Sequence, residues 1–166
     1  NYVKKVVFPL EILSPVSVLA STFHALISLF VLLVFVGIVR QGIAPTVLYI
    51  PIILTPLLVL TLGLSWVLAA VGVYLRDVSQ TIGLFLSALM FLSPIFFPVS
   101  VLPAKFQKLM ALNPLTFIIE ETRAVLILGQ QPHWLGLVIY LLVASLIAMI
   151  GLHLFQKARK GFADVL

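Results

Sequence analysis

The sequence contains no cysteine and few charged residues. Of its 166 residues, ten are Lys or Arg and five are Asp or Glu, so that 9% of the chain is charged. The absence of cysteine excludes disulfides, thiolate metal sites and a thiol nucleophile. Soluble globular domains carry about 25% charged residues, whereas this chain is 63% hydrophobic with a mean hydropathy of +1.27. The composition excludes a soluble domain and predicts a polytopic helical membrane protein.

Sequence patterns typical of nucleotide binding, ion coupling and metal binding are also missing. The P-loop pattern GxxxxGK followed by Ser or Thr does not occur, so we do not expect this chain to bind ATP through such a loop. No Asp or Glu lies in the middle of a long apolar stretch, where ion-coupled carriers usually place one. The three His residues are too far apart for a typical metal-ligand spacing, and they are His24, His133 and His153. A transport reaction would need another source of energy.

Long stretches without a formal charge predict the topology. Four of them exceed the ~20 residues that a helix needs to cross a ~30 Å hydrocarbon core, namely 12–39, 41–75, 78–104 and 124–156. They do not alternate as barrel strands do, so helices are the only choice. We predict an all-α transmembrane helical bundle, one domain over residues 1–166, with spans near 15–39, 46–75, 78–99 and 134–156.

The distribution of positive charge predicts the orientation. Four spans place both ends of the chain on one side, together with Lys4, Lys5, Arg76, Lys157, Arg159 and Lys160. The other side then carries fewer positive residues, which are Arg40, Lys105, Lys108 and Arg123. The positive-inside rule therefore favours a cytoplasmic location for both ends.

The segment 100–133 differs from the spans because it holds several prolines and charges. Asn113 can cap a helix that begins at Pro114, since proline is tolerated at the first helical position. We predict two short helices, about 103–112 and 114–128, which reach roughly 15 and 22 Å and are too short to cross separately. They either enter the outer leaflet and return, or form an amphipathic loop between spans.

Prolines and aromatic residues mark two further features of the spans. Pro94 and Pro98, with Ser93 before them and two Phe between them, predict a break in the third helix near the membrane face. Such a break beside two short helices would suit a gate.

Aromatic residues within spans either pack against neighbours or line a path for sugars, and the candidates for lining are Trp66, Tyr74, Phe91, Phe96 and Phe97.

The tetrapeptide 63–66 (GLSW) is similar to an intramembrane serine-protease pattern, but Trp66 stands where that pattern needs Gly. No oxyanion donors are evident. Small residues in the same span favour a close helix–helix contact instead, and they are Ser65, Ala69, Ala70 and Gly72.

Four patterns occur in order along the chain, namely 8–13 (FPLEIL), 76–80 (RDVSQ), 93–98 (SPIFFP) and 112–115 (LNPL). Together they resemble the membrane (permease) subunit of type-2 ABC exporters for cell-surface polysaccharides, which include O-antigen, capsule and teichoic-acid exporters. Members normally carry an amphipathic helix and two more spans ahead of this point. The resemblance therefore implies an N-terminally truncated fragment of such a subunit.

The resemblance also implies partners and a location. Two copies would form a homodimer around a central path in the bacterial cytoplasmic (inner) membrane, with separate nucleotide-binding ATPase subunits docked against them. The chain would be a transport subunit and not an enzyme, with no cofactor of its own, because ATP and Mg would bind the ATPase. The other partners would be membrane lipid and a lipid-linked glycan, and no nucleic acid. The diphosphate of such a glycan favours Lys or Arg near the entrance.

The family patterns assign roles to particular residues. Candidates for contact with the ATPase are Lys4, Lys5, Phe8, Pro9 and Glu11, although an ordinary juxtamembrane segment is the alternative. Arg76 and Asp77 match a short cytoplasmic turn, where they form a local ion pair or contact substrate phosphate. Glu121 and Arg123 would hold an external gate by pairing or capping. The gate residues are Ser93, Pro94, Asn113, Pro114, Glu121 and Arg123.

Three other interpretations remain open from the sequence. A type-2 ABC permease for a drug or a lipid would share the fold and the ATPase partner. A membrane enzyme or a passive scaffold would have no such partner. The apolar run after Lys4 and Lys5 also suits a signal peptide, but Pro9, Glu11 and Pro15 interrupt it.

Overall fold

The computed structural model describes residues 10–74 and 78–161, and all regular structure among them is helical. This confirms the predicted all-α class. Six α-helices follow one another in the order α1 Leu13–Arg40, α2 Ile50–Tyr74, α3 Val78–Phe91, α4 Ala104–Ala111, α5 Pro114–Arg123 and α6 Trp134–Ala158. Single 3-10 turns lie at Leu10–Ile12, Pro45–Tyr49, Val99–Val101 and Arg159–Gly161, and a π-helical turn, Ala124–Leu128, follows α5.

Three helical stretches are long and apolar enough to cross a membrane, namely Leu10–Arg40, Pro45–Tyr74 and Trp134–Ala158. The third predicted span, 78–99, is too long, because α3 ends at Phe91 after 14 residues. At 1.5 Å per residue it measures about 21 Å, less than a ~30 Å hydrocarbon core. Pro94 explains the early end, since proline lacks an N–H and disfavours helical geometry in the residue before it. By helix length, three of the four predicted spans can cross.

The centre of the bundle is the contact between α2 and α6. Gly63 is buried there, and a Cβ atom at this position would lie 2.7 Å from the backbone N and Cα of Ala148. Gly151 is buried against the backbone carbonyl of Gly63, and Ala144 is 1% exposed. Small residues thus let the two backbones approach closely, as membrane helices often do. The contact does not use Gly72, which the sequence had suggested, because that residue faces open space.

A second, larger apolar cluster connects α2 to α5, to the π-helical turn and to the start of α6. Its buried members are Ile50, Ile53, Ile118, Val125, Leu126 and Leu137. Phe117 and Tyr140 pack around it. The short helices 104–111 and 114–123 are therefore attached to the bundle through α5, whose residues Thr116 and Ile118 are buried, whereas α4 has no buried residue.

Two helices are only loosely packed within this chain. The most apolar stretch of α1 has none of its residues buried, and α3 has no buried residue among those described. Their large side chains, such as Phe30, Phe35, Leu84 and Phe91, are between 63% and 78% exposed. In a membrane protein such surfaces face lipid or other helices, so the rigid part of the chain is α2, α5 and α6.

Candidate functional site

Asn113 joins the start of α5 to the end of α3. Its Oδ1 accepts a hydrogen bond from the Leu115 N–H at 2.9 Å and caps the helix. Its Nδ2 group donates to the Leu92 carbonyl at 3.2 Å and to Ser93 Oγ at 2.8 Å. The Ser93 hydroxyl in turn donates to the Leu89 carbonyl at 2.7 Å. Asn113 is 8% and Ser93 3% exposed, so one buried amide fastens the segment after α3 to the start of α5.

Arg123 holds the segment 94–99 against the other end of α5. Its guanidinium donates to the Glu120 carboxylate, to the Pro94 carbonyl and to the Ile95 carbonyl at 3.2 Å. Glu120 Oε1 lies 3.4 Å from the Val99 N–H, from which it accepts a hydrogen bond. The predicted gate residues Ser93, Pro94, Asn113 and Arg123 therefore do meet at one place. The proline-containing break is attached at both ends of α5.

The ion-pair partner of Arg123 is Glu120, a residue that the sequence analysis did not include among the gate residues. Residues three apart share one face of a helix, whereas residues two apart do not. Helical spacing alone could therefore have identified Glu120, which sequence analysis missed.

Glu121 contacts the residue that caps α6. Its Oε2 accepts a hydrogen bond from the His133 N–H at 2.8 Å, and His133 Nδ1 accepts one from the Gly136 N–H at 3.1 Å. These contacts begin α6 next to α5. A further link between the helices is the Tyr140 hydroxyl, which donates to the Pro114 carbonyl at 3.0 Å. The Tyr140 ring stacks on Phe117 with centroids 5.9 Å apart.

The π-helical turn after α5 is attached to the connection between α1 and α2. The Thr46 hydroxyl donates to the Val125 carbonyl at 2.7 Å, and the Arg40 guanidinium donates to the Ile127 carbonyl. Gly129 then ends the turn with a φ of 65°, a left-handed conformation that favours glycine. π-helical turns often occur at functional sites. Sequence reasoning could not have found this turn, because its residues are of the same types as those of an ordinary apolar helix.

The five predicted lining aromatics do not come together within the chain. The Trp66 indole N–H donates to the Glu11 carbonyl at 3.1 Å, and the Tyr74 hydroxyl donates to the Ala158 carbonyl at 2.9 Å, so both lie at the end of the bundle away from α4 and α5. Phe91 and Phe96 are 78% and 91% exposed beside the break, and Phe97 is half-buried there. The chain by itself therefore does not form a common lining from these five rings.

Glu11 is the one predicted ATPase-contact residue that the structure describes. Its carboxylate pairs with Arg159, and its side chain is 18% exposed. The second carboxylate oxygen is buried and has no hydrogen-bond partner within residues 10–74 and 78–161. The other predicted residues of that set, and of the cytoplasmic turn, lie outside the described residues, and they are Lys4, Lys5, Phe8, Pro9, Arg76 and Asp77.

The site therefore consists of hydrogen bonds between side chains and mostly backbone groups, together with one ion pair. Within residues 10–74 and 78–161, no three His, Asp or Glu side chains lie close enough together to bind a metal ion. An apolar cavity of about 320 Å³ lies beside the site, against Phe117, Gly136 and Tyr140. Such an arrangement holds helices together and exposes aromatic rings. It defines a class of protein, a helical integral membrane protein with a proline-broken helix fastened to two short ones.

Comparison with known proteins identifies the family. The model of the ABC-2 type transporter family matches residues 1–127, so the chain belongs to that family. The chain is 25% identical to an O-antigen export system permease protein RfbA of Klebsiella pneumoniae, with 99% of this chain and 63% of the relative aligned. It is also 25% identical to a protein of the same name from Myxococcus xanthus, over 96% of this chain and 62% of that protein. The chain thus spans less than two thirds of these curated relatives.

The match fits the expectation of a transport subunit rather than an enzyme, because the family is described as a transporter. It also agrees with the resemblance drawn from the patterns at 8–13, 76–80, 93–98 and 112–115. The three long apolar helices and the family together make the chain an integral membrane protein.

Proposed function

We propose that this chain is part of the permease of an ATP-driven exporter that moves a lipid-linked polysaccharide across the bacterial cytoplasmic membrane. Alignment of almost the whole chain with two O-antigen export permeases supports this proposal. The glycan is of the O-antigen, capsule or teichoic-acid type. Its apolar sugar faces would stack on the exposed rings of Phe91 and Phe96, which lie next to the helix break.

The single structural observation that carries the proposal is the buried link from Asn113 to Leu92 and Ser93. A helix that is interrupted next to proline can bend there without losing a further i→i−4 hydrogen bond, because the proline nitrogen has no N–H to donate. Asn113 and Arg123 fasten that end to α5, so α4 and α5 act as the external gate of the export path. To open the gate, the hydrogen bonds of Asn113 and Arg123 would have to break or rearrange together.

The partners follow from the proposal. Two copies form the path, and nucleotide-binding subunits supply ATP hydrolysis, with ATP and Mg bound to them and no cofactor bound to this chain. Both ends of the chain face the cytoplasm. There the residues Lys4, Lys5, Phe8, Pro9 and Glu11 would contact the ATPase. Glu11 would contact the ATPase as part of an ion pair with Arg159 rather than as a free carboxylate.

Export can be measured in cells. The full-length gene product is expressed with its neighbouring ATPase gene in a strain that synthesises the glycan and lacks its own permease, and surface glycan is labelled on intact cells. We expect wild type to restore labelling. Asn113→Ala should reduce it several-fold at an unchanged membrane level of the protein, because the gate loses three hydrogen bonds.

Lys105→Gln is the matched control, since Lys105 is exposed on α4 next to the site and forms none of the described hydrogen bonds. It should export normally. A tagged wild-type protein that purifies without an ATPase subunit, and without restoring surface glycan, would contradict the proposed function. Normal export by Asn113→Ala would contradict only the gate.

A further inference from the structure

The last turns of α6 carry a basic cavity that the export site does not use. This open cavity of about 610 Å³ is lined by His153, Gln156, Lys157 and Arg159. Each of these side chains can donate hydrogen bonds through N–H groups. Among the residues that the structure describes, no acidic side chain lines the cavity. Its chemistry suits an anion with several acceptor oxygens.

The positive charge of the cavity is only partly neutralised. Arg159 pairs with Glu11, but its side chain remains 46% exposed and has further N–H donors. Among the residues that the structure describes, no ion pair or hydrogen bond engages Lys157, which is exposed. At least one full positive charge therefore remains for a ligand.

An apolar groove lies on the adjacent face of the same two helical turns. Leu154 and Ala158 follow His153 and Lys157 by one residue each, which is about 100° around the helix. With Val67, Val71 and Tyr74 of α2 they line a cavity of about 260 Å³. Cationic and apolar surfaces thus adjoin at the end of a helix long enough to cross the membrane.

We propose that this end of α6 is a binding site for one anionic phospholipid, with its phosphate against Lys157, Arg159 and His153. One acyl chain lies in the α2–α6 groove. A free phosphate ion would use the basic cavity but not the groove, and a lipid is present at this depth at high local concentration. The site shares Arg159 with the ion pair to Glu11, but it is separate from the gate at Asn113 and Arg123 and does not depend on it.

Lipid retention tests the site directly. The full chain is purified in mild detergent, supplied with phosphatidylglycerol or phosphatidylcholine, and examined by native mass spectrometry. We expect wild type to retain one phosphatidylglycerol and little phosphatidylcholine. Lys157→Gln should lower the retained phosphatidylglycerol about fivefold, since one basic residue near an anionic headgroup contributes about that factor. Lys157 is exposed, so the variant should fold, and its circular dichroism spectrum checks this.

Lys108→Gln is the matched control, because it removes one exposed lysine at the end of another helix. It should retain phosphatidylglycerol as wild type does. Equal loss in both variants, or equal retention of the two lipids by wild type, would overturn the proposal. Displacement of phosphatidylglycerol by an excess of inorganic phosphate would show a phosphate site without lipid specificity, and would overturn it as well.

Discussion

The two ends of the bundle are held by different kinds of contact. At the end formed by α4 and α5, here called the network end, polar side chains reach backbone groups of other segments, and Asn113 and Ser93 are almost fully buried. At the opposite end, here called the tail end, Glu11 pairs with the half-exposed Arg159, and Trp66 and Tyr74 each donate to one carbonyl.

This difference has a mechanical consequence. Hydrogen bonds in a buried network strengthen one another, and leaving one partner unsatisfied is costly, so the network end should move as a unit or not at all. Exposed ion pairs contribute little and are screened by salt. The tail end should therefore adjust its contacts at small cost, which suits a surface that meets another subunit.

The largest effect should come from the contact between α2 and α6, which lies between the two ends of the bundle. Gly63→Val places a Cβ atom 2.7 Å from the Ala148 backbone and must push α2 away from α6. We expect the free energy of unfolding to fall by about 3 kcal/mol, at the upper end of overpacking effects. Titration with sodium dodecyl sulfate, followed by circular dichroism, measures it. Gly72→Val is the control on the same helix, because nothing lies within 4 Å of that position; equal loss in both variants would contradict the assignment.

The network end should be sensitive to one amide. Asn113→Ala removes the cap of α5 and two donated hydrogen bonds, which together contribute about 2–3 kcal/mol. Asn113→Asp keeps the capping oxygen but not the donors, and it should fall between wild type and the Ala variant. Both are measured by the same titration. A loss below about 0.5 kcal/mol for Asn113→Ala would mean that the two helices are held by the apolar cluster alone.

A pair of tyrosines compares the two ends under the same chemical change. Tyr140→Phe removes the hydroxyl that donates to Pro114 at the network end, and Tyr74→Phe removes the one that donates to Ala158 at the tail end. We expect a loss of about 1 kcal/mol for Tyr140→Phe. The loss for Tyr74→Phe should be smaller, because Tyr74 is 48% exposed and water can replace its partner. The reverse order of the two losses would contradict the contrast between the ends.

The smallest effect should be at the ion pair. Glu11→Gln removes the charge that faces Arg159, and the expected change in the free energy of unfolding is about 0.5 kcal/mol or less, since Arg159 is 46% exposed. The difference between variant and wild type should shrink further at high salt, because salt screens the wild-type pair. A loss above about 2 kcal/mol, unaffected by salt, would show that the pair is desolvated and that the tail end is rigid too.

The sequence predicted the short helices and most of the network residues for local reasons. Asn113 before Pro114 is a helix start that depends on neighbouring residues only. Ser93 and Pro94 mark a break for the same reason. Glu120 was not among the predicted gate residues, although its spacing of three places it on the same helix face as Arg123. The predicted length of α3 was wrong, because a stretch without charged residues does not indicate where a helix ends.

Several contacts had no signal in the sequence. Tyr140 and Pro114 are 26 residues apart, and Thr46 and Val125 are 79 apart, so only the folded chain brings them together. Trp66 could have faced a path, lipid or a neighbour, because a helix of uniformly apolar residues does not reveal which face is buried. The structure places its indole on the Glu11 carbonyl.

The sequence by itself determined that this is a helical membrane protein, where three of its helices lie, and which family its patterns match. Composition and charge spacing decide these points, because hydrocarbon tolerates neither unpaired backbone groups nor free charge. The tertiary structure alone decided that Gly63 meets Ala148, that Glu120 holds Arg123, and that the two ends are held by different kinds of contact. Those outcomes depend on how the helices rotate and approach one another, which close packing of specific side chains sets and local sequence does not.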